Sequence, residues 1–126
     1  WQILQRDPFI VCDTGHNLNG IKYVLEQIKR TPHQNLHIVW GMVKDKDHEK
    51  ILALLPKHAQ YYFCQANIPR AESATILAEK AAKFELKGEV IADVNEAIEK
   101  AKQTVQKDDM IFIGGSTFVV AEINIL

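Results

Sequence analysis

Five short strand-like runs dominate the sequence: Phe9–Cys12, Leu36–Trp40, Gln60–Cys64, Glu89–Ala92 and Met110–Ile113. One stretch of helical character separates each from the next. Strands spaced this way cannot join as tight hairpins. They need crossovers, and right-handed crossovers build a parallel sheet. Met110–Ile113 is apolar at every position, which predicts a central strand covered on both faces. Trp1–Gln5 alternates large apolar and polar residues, and only Arg6-Asp7-Pro8 parts it from Phe9–Asp13. That turn signal predicts an antiparallel hairpin, with Trp1–Gln5 on or near a sheet edge.

The helical stretches are amphipathic. Over Asn17–Arg30, Ile21, Val24, Leu25 and Ile28 share one face; Asn17 or Asn19 can cap the start, and Thr31-Pro32 ends it. Helices are expected at about His48–Leu55, at Glu72–Phe84, and after Asp93, whose apolar face is Val94, Ala97, Ile98, Ala101 and Val105. Thr117–Ile125 is β-branched, yet it follows Gly114-Gly115 with Ser116 as a cap, and a short helix is expected. The prediction is one α/β domain over 1–126: a Rossmann-like three-layer sandwich of about six strands, mostly parallel, with helices on both faces.

A chain of 126 residues can bury a core but cannot form two ordinary domains. The net charge of -1 gives no electrostatic case for nucleic acid or an anionic membrane. No apolar run approaches membrane-spanning length, and no basic-then-apolar signal opens the chain. Cys12 and Cys64 lie within predicted strands and read as buried free thiols of a cytoplasmic protein. The chain opens on Trp1, without Met, and reads as a piece of a longer protein.

In such a sheet the loops after the strands gather at one edge, where ligands collect. They bring together Asp13, His16, Asn17, Lys44, Asp45, Asp47, Arg70 and Ser116. Asp13 is either a carboxylate bonding turn amides or an acceptor for a ribose hydroxyl. His16 is an exposed turn residue or a ligand contact, and Asn17 is most simply a cap. Ser116 is first a cap and second a ligand hydroxyl. Arg70 and Asp45 are substrate-side candidates by location. Several familiar patterns fail. A phosphate loop from Gly15 and Gly20 needs Lys then Ser or Thr where Ile21 and Lys22 stand. A calcium loop from Asp45 needs Gly and Glu where Lys50 and Pro56 stand. His16, His33, His37, His48 and His58 show no metal spacing with the cysteines. Gly114-Gly115-Ser116 is not a nucleophile elbow.

Taken together, the loops carry a resemblance. Asp13-Thr14-Gly15-His16-Asn17 resembles the D-x-A-H-N-P turn of folylpolyglutamate and dihydrofolate synthases, within the Mur ligase superfamily. Gly41–Asp47 resembles their G-x-x-x-D-K-D loop. Pro69-Arg70-Ala71 and Gly114–Glu122 match later signatures in order and spacing. Gly15 stands in place of the usual Ala, and Leu18 in place of Pro. The resemblance covers the whole chain as the C-terminal domain of such an enzyme. It implies an ATP-dependent amide ligase: ATP phosphorylates a pteroate or folate carboxylate, and the amine of L-glutamate attacks the acyl phosphate. ATP and Mg2+ would be held mainly by an N-terminal domain of the same chain. Asp13 and Asn17 would face nucleotide; His16, Ser116, Arg70 and Asp45 would face substrate. None would be a nucleophile. The alternatives are a peptidoglycan-precursor Mur ligase, or a non-catalytic α/β binding module of receiver-like type.

Overall fold

The structure, a computed structural model, describes residues 1–124. Its strands are β1 (Gln2–Arg6), β2 (Phe9–Cys12), β3 (Leu36–Trp40), β4 (Gln60–Gln65), β5 (Gly88–Asp93) and β6 (Met110–Gly114). Its helices are α1 (Leu18–Arg30), α2 (His48–Leu54), α3 (Ala74–Ala82), α4 (Val94–Thr104) and α5 (Thr117–Ala121). One sheet runs in the order β1-β2-β6-β3-β4-β5. β1 pairs antiparallel with β2 at the edge, as the hairpin reading requires, and every other pairing is parallel.

The order explains why both faces are covered. From β2 to β3, β4 and β5 the chain steps across the sheet in one direction, so right-handed crossovers put α1, α2 and α3 on one face. The step from β5 back to β6 is reversed, so α4 lies on the other. The core divides accordingly. Ile21, Val24, Ile28, Ile51, Leu52, Leu77 and Ala81 pack on Val11, Ile38, Tyr61, Phe63 and Phe112. Val94, Ala97, Ile98, Ala101 and Val119 pack on Ile10, Val39, Tyr62, Cys64 and Ile113. Alternate strand residues thus serve opposite faces. β6 lies between β2 and β3 and is buried throughout, as its all-apolar sequence predicts.

Both cysteines are free and buried. Burial pushes the Cys64 thiol up to about 12, which makes it a poor nucleophile. Among the described residues no helix is long and apolar enough to cross a membrane.

Three boundaries differ from expectation. α2 ends one residue early, at Leu54. α3 begins at Ala74 rather than Glu72: Ser73 caps it by accepting from the Ile76 amide, and the Glu72 amide is already spent on the Met42 carbonyl. It ends at Ala82 rather than Phe84. The last segment is the short helix expected, but only over Thr117–Ala121; Ile125 lies outside the described residues.

Candidate functional site

A sheet supports a crevice where neighbouring strands send their chains to opposite faces. β6 is that strand here. Its chain turns into α5 on one face, while β2 and β3 turn into α1 and α2 on the other. An open cleft of about 220 Å3 lies at this point, lined by His16, Val43, Lys46, Arg70, Ser116 and Phe118, among others. The loops after β2, β3, β4 and β6 each supply a wall.

Two glycines bring the walls together. Gly115 has φ +100, and a Cβ there would stand 2.3 Å from the Gly41 carbonyl oxygen. The turn after β6 therefore rests directly on the turn after β3. Beyond it Ser116 is buried and caps α5, its Oγ accepting from the Phe118 amide at 3.0 Å. Its hydroxyl proton is left to donate.

His16 sits on the turn after β2. Its Nδ1 lies 3.0 Å from the Thr14 carbonyl, which can only accept, so that nitrogen carries the proton and Nε2 is the acceptor in the neutral ring. Arg70 closes the opposite side. Its guanidinium lies 5.6 Å from the Phe118 ring centroid and donates to Asp45 at 3.1 and 3.3 Å. The Arg70 hydrogen bond holds the Asp45 carboxyl below the usual carboxylate range. Both partners are largely exposed, so the pair can exchange with water or with another anion.

The cleft therefore brings together His16, Arg70 and Ser116, and Asp45 joins them only through Arg70. Asp13 and Asn17 stand beside it rather than in it. Asp13 Oδ1 accepts from the Gly15 amide at 2.7 Å. The turn-amide role read for Asp13 is thus formed. Asn17 caps α1, accepting from the Gly20 amide at 2.7 Å. Asp47, rather than facing the cleft, caps α2.

Lys46, which is not among the candidate site residues, lines the cleft as a second cation. The Asp-Lys-Asp pattern is the signal that could have marked it. Among the described residues no group of three His, Cys, Asp or Glu could hold a metal ion. With two cations, a hydroxyl and an imidazole acceptor, the cleft suits a carboxylate-bearing molecule with an amine to donate.

The chain is 31% identical to a probable bifunctional folylpolyglutamate synthase/dihydropteroate synthase of Haloferax volcanii, over 97% of this chain and 15% of that protein. It is 29% identical to a UDP-N-acetylmuramoyl-L-alanyl-D-glutamate–2,6-diaminopimelate ligase of Oceanobacillus iheyensis, over 84% of this chain and 23% of that protein. A solved structure of E. coli FolC in complex with DHPP and ADP superposes with a TM-score of 0.86 at 27% identity, covering 95% of this chain and 28% of that one. The chain thus spans less than a third of each. Residues 1–117 match the Mur ligase, glutamate ligase domain, and with the sheet order and the switch-point cleft in agreement, the chain belongs to that family.

Proposed function

We propose that residues 1–126 form the C-terminal domain of an ATP-dependent amide ligase that adds L-glutamate to dihydropteroate or a folate. The observation that carries this is the cleft at the switch point, with Lys46 and Arg70 flanking the Ser116 hydroxyl and the His16 ring. Glutamate has two carboxylates for the cations and an amine that a neutral imidazole can accept. In this reading the folate carboxylate is activated as an acyl phosphate by ATP, and the glutamate amine attacks it. This domain holds and orients the amine, with charge complementarity as its main contribution. Asp13 and Asn17 border the side where nucleotide would lie. The N-terminal domain of the same chain would bind Mg2+ and the phosphates, and no step is routed through the metal.

The test is glutamate-dependent ADP release by the full-length protein. Release is expected with dihydropteroate or a folate. Release only with a UDP-muramoyl substrate, with diaminopimelate supplied in place of glutamate, would move the assignment to a peptidoglycan-precursor ligase, the second reading, which the likeness to the diaminopimelate ligase favours. No release with either would sink the ligase reading.

A finer expectation concerns two side chains of the cleft. Arg70→Ala and His16→Ala should each raise the glutamate KM about tenfold, the loss of one hydrogen bond to a charged group, with the ATP KM nearly unchanged. Both residues lie near the surface, so folding should be little affected. Equal loss in both KM values would remove these residues from the glutamate side.

A further inference from the structure

The wall of the cleft formed by Gly41–Asp47 has no regular secondary structure, yet it must hold Lys46 and the Arg70 backbone in place. Met42–Lys44 and Arg70–Glu72 form a short antiparallel clip. The Lys44 amide donates to the Arg70 carbonyl at 2.8 Å, the Glu72 amide donates to the Met42 carbonyl at 2.9 Å, and Val43 bridges Ala71. One carbonyl in the clip, that of Val43, is taken by a side chain. His48, the first residue of α2 and buried, turns back so that Nε2–H donates to the Val43 oxygen at 2.7 Å.

That bond fixes the tautomer. Nδ1 must then be an acceptor, and Lys80 Nζ of α3 lies 3.0 Å from it. Lys80 also donates to Glu72 Oε2 at 3.3 Å, and Glu72 Oε1 accepts from the Ser73 amide at 3.0 Å. The chain of bonds runs from Glu72 through Lys80 and His48 to the Val43 carbonyl. It ties both loops of the clip to α2 and α3.

We propose that His48 is a positioning residue for the cleft, oriented by Lys80 and Glu72, which sets the Val43–Lys46 backbone and through it the glutamate-side wall. The substrate named rests on the ligase reading above; the positioning does not. His48→Leu fills similar volume and removes the donor. His48→Gln restores an Nε–H at the same reach.

Two measurements on the full-length protein decide it. Hydrogen exchange at the Lys44 and Glu72 amides should rise about fivefold in His48→Leu and return towards the wild-type rate in His48→Gln. The glutamate KM should rise by a similar factor in His48→Leu, with kcat and the ATP KM nearly unchanged, and recover in His48→Gln. A merely structural role would lower the melting temperature or the active fraction without splitting KM from kcat. Unchanged exchange in a folded His48→Leu, or no recovery in His48→Gln, overturns the proposal. If His48→Leu does not fold, Lys80→Met carries the same exchange test, with a smaller rise expected at Lys44 and no rise overturning it. If the wild-type protein shows no ligase activity, the substrate reading fails, while the exchange result still decides the positioning claim.

Discussion

Gly115→Ala is expected to destabilise the domain by about 3–4 kcal/mol, through backbone strain and a clash that cannot relax. A left-handed φ of +100 is open to glycine and strained for alanine. The added methyl would stand 2.3 Å from the Gly41 carbonyl oxygen and 3.0 Å from Trp40 Cδ2 and Cε2. Neither neighbour can retreat. Gly41 is itself pressed against Val119 and the Cys64 carbonyl, at 2.8 and 2.9 Å from where its own Cβ would be. Trp40 is 2% exposed, and its Nε1 has no hydrogen-bond partner among the described residues, so the ring is held by packing alone. For a domain of this size the melting temperature should fall by roughly 10–15 °C. The turn that carries Ser116 would lose its seat on β3, so on the proposed ligase reading the activity of the full-length protein should fall as well. A melting point within about 2 °C of wild type would show that the turn yields, and that the contact between the two glycine loops is not what shapes the cleft.

Most of the architecture is visible in the sequence because its cause is local. Ile21, Val24 and Ile28 recur at helical spacing, Met110–Ile113 is apolar at every position, and Arg6-Asp7-Pro8 is too short for anything but a hairpin. The caps at Asn17, Asp93 and Ser116 are local too, and all three form. The position of β6 between β2 and β3 is of another kind. No residue in Met110–Gly114 encodes its neighbours; the order follows from packing against segments far away in the chain, as Met110 pairs with both Phe9 and Leu36. The polar clusters behave alike. His48, Glu72 and Lys80 meet across three elements, and His37, Tyr62 and Asp109 across three strands or strand ends. A histidine in such a setting shows no spacing signal, because its partners are distant in the chain. Asp108-Asp109 reads as a polar break, and Asp108 is one; Asp109 is instead 4% exposed and fully bonded.

Asp109→Asn is the second large effect, at about 2 kcal/mol near neutral pH, because the donors gathered on a buried carboxylate lose an acceptor. Asp109 Oδ1 accepts from the Asn35 amide at 3.0 Å and from Asn35 Nδ2 at 3.1 Å. Oδ2 accepts from the Gln106 amide at 2.9 Å and from His37 Nε2–H at 3.1 Å. His37 Nδ1 in turn accepts from the Tyr62 hydroxyl at 2.9 Å. An asparagine must turn its NH2 towards one of these two donor pairs, and at least one N–H of that pair then loses its acceptor. The clasp joins the starts of β3 and β6 to the end of α4, so its loss loosens both central strands at the edge opposite the cleft. Burial alone would raise the Asp109 carboxyl; the Gln106 and Asn35 amides, His37 and the Asn35 side chain outweigh it and hold it below the usual range. A depressed folded value means that the ionised group adds stability above the unfolded value of about 3.9 and loses it as pH falls through the lower folded value. Protonated Asp109 resembles asparagine. The gap between wild type and Asp109→Asn should therefore be full at pH 7 and begin to close only below about pH 4. Urea midpoints measured across that range test it directly. A gap that stayed constant into strong acid would mean that the cost lies in packing around residue 109 and not in the carboxylate charge that four donors surround.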